Sequence, residues 1–365
     1  MQCKRLLAAF VAPLLLSGTL AACGSDDSGE AAAGSATAVP TAASQVDGKI
    51  DTSKVKKSLV VGVDNPYYLF HEDVIVAQEK GYLKDVGIDH VKIVETEDPL
   101  PGLIGGSLDL VLYDTDTAIA AGVKSKAGIT YLSPYLGGEA NILGVRKGID
   151  SAADLKGKTI TGGQFGSRND FLIRKLLTDH GIDPDKDVKL VSTGGQSNER
   201  LQAVLAGTVD GASLQLRHKS LLEAQGGKFL FQEVGQVPQV GWSATKLFKE
   251  SPETVAAFLS ATLKARAYID DISHKQDVLS IMAKKKFDLP PDYRAAYAAE
   301  NNPNYHTKDG GFEVADMDKF VKTQIDLKVI PPGTDWHDYV NPLPLWRAQK
   351  SLGLPLRPSI ADFNS

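Results

Sequence analysis

The sequence predicts an α/β chain made of two similar α/β lobes joined by paired hinge strands, with a ligand cleft between the lobes. Three observations predict it: a block of sequence occurs twice, strand and helix patterns alternate within each copy, and an extended segment follows each copy. The first copy reads Gly87-Ile88-Asp89, Val91-Lys92-Ile93-Val94-Glu95-Thr96 and Gly106-Ser107-Leu108-Asp109. The second reads Gly181-Ile182-Asp183, Val188-Lys189-Leu190-Val191-Ser192-Thr193 and Gly207-Thr208-Val209-Asp210. Order and residue type match, and the spacing drifts by only a few residues. The period is that of a lobe, not of a solenoid unit or propeller blade, and two facing lobes enclose a cleft.

The first residues are expected to lie outside the fold. Lys4 and Arg5 precede a short apolar run, Leu6–Leu16, which closes on Leu20-Ala21-Ala22-Cys23. This pattern predicts a secretory signal over residues 1–22, too short to span a membrane as a helix of about 20 residues. Cleavage there removes Cys3, leaves Cys23 as the single cysteine, and excludes an intramolecular disulfide. Residues 23–57 are rich in Ala, Gly, Ser, Thr and Asp, with Ile50 as their only large apolar side chain. That composition predicts a flexible tether with a reach on the order of 30 Å.

The body opens on a buried strand, Ser58–Val63, and a loop, Asp64–Glu72. A helix follows with Val74, Ile75, Ala77 and later Leu83 on its apolar face. Val91–Val94 is the next strand, Leu100, Leu103 and Ile104 mark a short helix, and Leu108–Tyr113 is the third strand. Asp114-Thr115-Asp116 offers N-cap chemistry to a helix over Thr117–Val123. The second copy repeats the plan: strand Lys158–Thr161, Gly-rich loop Gly162–Arg168, helix Asn169–His180 ended by Gly181, strand Val188–Val191, helix Asn198–Ala206, strand Val209–Leu214 and helix Lys219–Ala224. Such β-α alternation implies largely parallel pairing with right-handed crossovers.

Ala140–Arg146 and Pro238–Thr245 read as the hinge strands. Helices over Pro252–Ile272, His274–Lys285, Pro291–Glu300 and Glu313–Leu327 would pack back on the first lobe. The expected limits are therefore lobe 1 over 58–140 and 246–350, lobe 2 over 147–237, and a Pro-rich tail over 351–365. Net charge is −5 with both signs interspersed, and no basic stripe argues for nucleic acid. No later apolar run is long enough for a membrane span.

Ligands of open α/β sheets bind at the carboxyl ends of strands. Four loops qualify. The first carries Tyr67, Tyr68, Phe70 and His71, aromatics that would wall a flat or apolar ligand or else pack beneath the loop. The second carries Asp114, Thr115 and Asp116, suited to an amine or N–H donor, or to helix capping. The third carries Gln164, Ser167, Arg168 and Asn169, a helix start that would take a carboxylate, sulfonate or phosphate unless Ser167 and Asp170 already cap it. The fourth carries Gln215 and Arg217. Trp242, in a hinge strand, would stack on a ligand or fill the core.

Catalytic patterns are lacking: there is no Gly-x-Ser-x-Gly elbow, no dinucleotide fingerprint and no phosphate loop. The Asp183-x-Asp185-x-Asp187 run has Val188 and Gly194 where a calcium loop needs Gly and Glu. The expectation is no catalytic residue, no metal and no cofactor.

Leu59–Val63 with its loop, Gln78-Glu79-Lys80-Gly81-Tyr82-Leu83, Ala153–Ile160, Gly207–Ala212 and Ser251-Pro252-Glu253 together resemble solute-binding lipoproteins of ABC importers. The resemblance is to the group that takes alkanesulfonates, taurine, nitrate and thiamine pyrimidines, and it covers residues 58–272. It implies a type II periplasmic-binding-protein fold, lipid attachment at Cys23, export to the outer face of the cell membrane, and a monomer that hands a small molecule to permease and ATPase subunits. Asp114 and Asp116 depart from the small neutral residues usual in the group, which argues against a simple nitrate or sulfonate ligand. A pyrimidine-synthesising enzyme branch shares the fold but needs a Cys-rich motif that this chain lacks. A ligand sensor for a membrane receptor remains the other alternative.

Overall fold

The computed structural model describes residues 38–64, 72–96, 98–194, 196–215, 218–285 and 307–365. Tyr67, Tyr68, Phe70, His71, Arg217, Cys23 and the helix expected over Pro291–Glu300 lie outside the described residues.

The duplicated sequence folds into duplicated topology. In the first copy the strands are β1 (Ser58–Asp64), β2 (His90–Thr96) and β3 (Leu110–Asp114), with helices α1 (Glu72–Glu79), α2 (Tyr82–Asp85), α3 (Leu100–Gly105) and α4 (Thr115–Ser125). After the long strand β4 (Thr130–Val145) come β5 (Thr159–Gly163), α5 (Arg168–Asp179), β6 (Lys189–Ser192), α6 (Ser197–Leu205), β7 (Gly211–Leu214), α7 (Lys219–Ala224) and a second long strand, β8 (Lys228–Ala244). The sheet order is β2-β1-β3-β8-β4-β7-β5-β6. Read inward from either edge, the order is second strand, first strand, third strand and then an antiparallel long strand. β1 pairs in parallel with β2 and β3, as β5 does with β6 and β7.

The repeated residues do the same work in both lobes. Gly87 and Gly181 close their turns at φ 90° and 76°, and Gly106 and Gly207 at 81° and 73°. Each such turn needs a left-handed residue, which glycine adopts at little steric cost. The Asp109 carboxylate accepts the Val60 N–H at 2.8 Å and holds Lys56 at 2.6 Å. Asp210 accepts the Thr159 N–H at 2.8 Å and holds Arg146 at 2.6 Å. In each lobe one aspartate thus ties the start of the third strand to the first strand.

β4 and β8 pair from Thr130↔Ala244 to Val145↔Lys228, with register shifts around Tyr131–Gly138 and at Leu143–Gly144. They extend well beyond the 140–146 and 238–245 segments expected, so the two lobes share one continuous ribbon. The first lobe buries both faces of its sheet. On one face Leu59, Val61 and Val63 of β1 pack with α1, α8 (Lys246–Glu250), α9 (Pro252–Asp270), α10 (Lys275–Lys284) and α12 (Leu343–Ser351). On the other, Val60 and Val111 pack with α3 and α4, and a further cluster joins α4 to α11 (Val314–Asp326), Trp336, Trp346 and α13 (Ile360–Phe363). The second lobe has a smaller core on each side, around Leu176 and around Leu201.

Two expectations change. Residues 38–57, assigned by composition to the tether, are docked: Val46 and Val55 are buried and Ile50 packs on the core. Arg347 donates to the Asp47 and Lys49 carbonyls, and Lys350 to those of Ala43 and Val46. A few valines with basic side chains on the facing helix suffice to seat the segment. Trp242 is fully buried, edge-on to Phe258 at 4.8 Å, so its role is core packing and not ligand contact.

Candidate functional site

Both sets of strand ends face the same stretch of the long ribbon. β3 ends at Asp114, opposite Val240, which pairs with Leu136. β7 ends at Leu214, opposite Ile142. Leu136 and Ile142 are six residues apart on one strand, so the two strand ends face each other across about 20 Å. That gap is the candidate site.

Its lobe 1 wall is acidic. The helix α4 begins at Thr115, two residues before the expected start, which puts Asp114 at its N-cap, where its side chain makes no cap bond. Thr115 is fully buried, and Asp116 is buried with its Oδ1 accepting the Thr117 N–H at 2.7 Å. Glu72 and Asp73 open α1, both buried. Four carboxylates at two helix starts suit the positive ends of the helix dipoles. Asp73 is paired with Arg266 at 3.0 Å, and both are almost completely out of water. Arg266 also donates to the Pro134 carbonyl at 3.0 Å and lies over the Tyr135 ring. Burial pushes the Asp73 carboxyl above the usual carboxylate range despite the guanidinium beside it.

Its lobe 2 wall carries both signs, Arg168 and Arg200 beside Asp170 and Glu199. Ser167 caps α5 by accepting the Asp170 N–H at 3.3 Å, and Asp170 in turn accepts the Gly166 N–H at 3.0 Å. The capping arrangement foreseen for Ser167 and Asp170 is the one present. The backbone of Arg168 starts α5, Asn169 follows half-buried, and Gln164 is exposed on the preceding turn. Gln215 accepts from Ser197 Oγ at 3.3 Å, and its N–H donates to His218 Nδ1 at 3.3 Å. His218 is fully buried and bonded through Nε2 to Asn198 Oδ1 at 3.0 Å. With Nδ1 accepting, Nε2 carries the proton, so the ring is the neutral Nε2–H tautomer.

Arg200 lies behind this wall, 2% exposed, with Nε donating to the Ser213 carbonyl at 2.7 Å. A Cβ on Gly163 would stand 3.3 Å from Arg200 Nη1, so the bare glycine backbone lets the guanidinium come close to the end of β5. Sequence reasoning passed over Arg200 and His218. A signal was present for Arg200: a cation in the first turn of a helix opposes the dipole, so the position calls for another reason.

The family profile described as NMT1/THI5 like matches residues 70–271, just over half of the chain. The chain belongs to this family. YtlA of Bacillus subtilis is 25% identical over 235 residues, 61% of this chain and 70% of YtlA. The chain spans only 36% and 37% of the length of two further curated relatives. Among solved structures, the periplasmic sulfonate-binding protein SsuA of Methylobacillus flagellatus superposes with a TM-score of 0.64 at 20% identity, covering 82% of this chain and 96% of that one. The periplasmic nitrate-binding protein NrtA of Synechocystis PCC 6803 gives 0.61 at 17%, covering 84% and 92%. The desulfurization enzyme DSZB gives 0.57 at 15%, covering 81% and 99%. At these identities the likeness is one of fold, and it matches the two-lobed α/β architecture expected from the repeat. No helix among the described residues is long and apolar enough to cross a membrane, and no group of three or more metal-ligating side chains occurs among them.

Proposed function

We propose that this chain is an extracytoplasmic solute-binding lipoprotein that captures one small polar organic solute and delivers it to an ABC import permease and its ATPase. The observation that carries this reading is the pairing of two duplicated lobes whose strand ends face one another with unlike chemistry. In this reading Arg168, backed by the buried Arg200, would meet an anionic group, while Asp114 and Asp116 would meet an amine or N–H donor. A zwitterion, or an anion with an N–H donor, satisfies both walls. Tyr67, Tyr68, Phe70, His71, Gln215 and Arg217 complete the proposed contact set.

No side chain is assigned a covalent or proton-transfer role, and the proposal is of binding without turnover. A signal over 1–22 and lipid on Cys23 would hold the body at the outer membrane face as a monomer. Docking of 38–57 on lobe 1 would leave residues 23–37 as the tether; this segment and the 351–365 tail, whose Ile360 and Phe363 are buried against lobe 1, are added to that lobe, and the other limits stay as proposed from the sequence.

A thermal-shift screen across sulfonates, aromatic carboxylates, pyrimidines and amines tests the reading. A stabilising hit weakened by both Arg168→Ala and Asp116→Asn is expected. No hit in any class, or chemical conversion of a hit, would overturn it. For the anchor, Cys23→Ser should move the protein from the membrane fraction to the soluble fraction; retention on the membrane would remove the lipid assignment.

A further inference from the structure

Large apolar side chains are mostly hidden, and among the described residues only Ile104, Phe165 and Ile272 are substantially exposed. Phe165 is the most open of the three, at 57%. It sits two residues past Gly163, the last residue of β5, on the lobe 2 side of the candidate cleft. Burying a phenyl ring is favourable, so leaving one in water at this position forgoes stabilisation.

The ring is not on a loose loop. Ser167 N–H donates to the Gln164 carbonyl at 3.1 Å, closing a turn in which Phe165 and Gly166 are the central residues. Gly166 has φ 76°, the left-handed value that the third residue of a type II turn requires. The Gly166 N–H is held by Asp170 and the Ser167 side chain caps α5, so the turn is fastened to the helix behind it. A fixed turn presenting a bare ring at a strand end is a preorganised contact.

We infer that Phe165 is a specificity residue: when the lobes close, its ring covers the apolar body of the bound solute. This rests on the solute-binding reading above and adds that the solute has an aryl or alkyl body, not a bare inorganic anion.

Calorimetric titration of the full folded body with alanine, phenylglycine and the sulfonate analogue of each, zwitterions that differ in a methyl or phenyl body, tests it, using wild type, Phe165→Ser and Phe165→Leu. The expected result is that Phe165→Ser weakens the phenyl probes about fivefold or more, leaves the methyl probes within about twofold, and is largely rescued by Phe165→Leu. If wild type binds none of the four, both the anion-binding reading and this inference fail. If wild type binds but Phe165→Ser binds all probes as well, or loses methyl and phenyl probes equally, only the inference fails. Unchanged binding with reduced cellular uptake would place Phe165 against a membrane partner and also overturn it.

Discussion

The two lobes agree where they are scaffold and differ where they face each other. Asp109 and Asp210 make the same backbone clamp at the same distance, each with its own cation. Between those clamps and the cleft the correspondence ends. The starts of α1 and α4 in lobe 1 carry only acids, Glu72, Asp73, Asp114 and Asp116, whereas those of α5 and α6 in lobe 2 carry Arg168 and Arg200 beside Asp170 and Glu199. A duplicated unit therefore keeps the residues that close its turns and tie its strands, and the chemistry of recognition lies in what has diverged.

The comparison can be broken in several places, and the largest effect belongs to lobe 1 alone. Arg266→Met strips the cation from a fully buried Asp73 and should cost about 3–5 kcal/mol in unfolding free energy by denaturant titration. Lobe 2 has no counterpart of this pair among the described ion pairs, so an equally large loss from Arg174→Met, whose partners are more exposed, would contradict the assignment.

Next come the clamps. Asp109→Ala and Asp210→Ala should each cost about 2 kcal/mol, since each removes a charge-assisted bond to a strand N–H. The two losses are expected to agree within about 1 kcal/mol; a neutral result for either would end the equivalence of the lobes.

A smaller effect is on pH. Burial alone would raise the Asp210 carboxyl, but the Thr159 N–H and Arg146 outweigh it and hold it below its ordinary 3.8. The fold therefore favours the ionised form. Its stabilisation is present at neutral pH and is lost as pH falls below about 4. Asp210→Asn should flatten the acid limb of the stability profile relative to wild type, and an unchanged acid limb would count against the clamp.

The smallest expected effect on stability is at Asp116→Asn, within about 1 kcal/mol. This variant should nevertheless weaken an amine-bearing ligand more than its methyl isostere.

Much of the fold was legible because its signals are local and periodic. Gly87, Gly106, Gly181 and Gly207 mark turns that need positive φ, and the β-branched runs between them mark strands. Long-range features were less so. Pro134, Gly137 and Gly138 look like breaks, yet they lie within β4, where the register shifts absorb them. Residues 38–57 looked unable to pack because the surface that buries Val46 and Val55 is supplied by helices some 200–300 residues later. The positions of Asp116, Ser167 and Gln215 at strand ends were legible from the β-α alternation. Arg200 and His218 were missed because only the folded arrangement of β5, α6 and β7 shows them buried together. Phe165 was overlooked because its loop was read for backbone N–H groups and not for its one ring.

The central claim is that the two unlike walls close on a solute. Nitroxide labels at Lys84→Cys in lobe 1 and Lys186→Cys in lobe 2, both exposed, report the distance between the lobes by pulsed electron paramagnetic resonance. The measurement is made with and without the strongest stabilising solute from the screen, in a soluble form that begins after Cys23. The account predicts a shift to a shorter distance on binding, abolished by Arg168→Ala at the same solute concentration. An identical distance distribution with bound solute would contradict it.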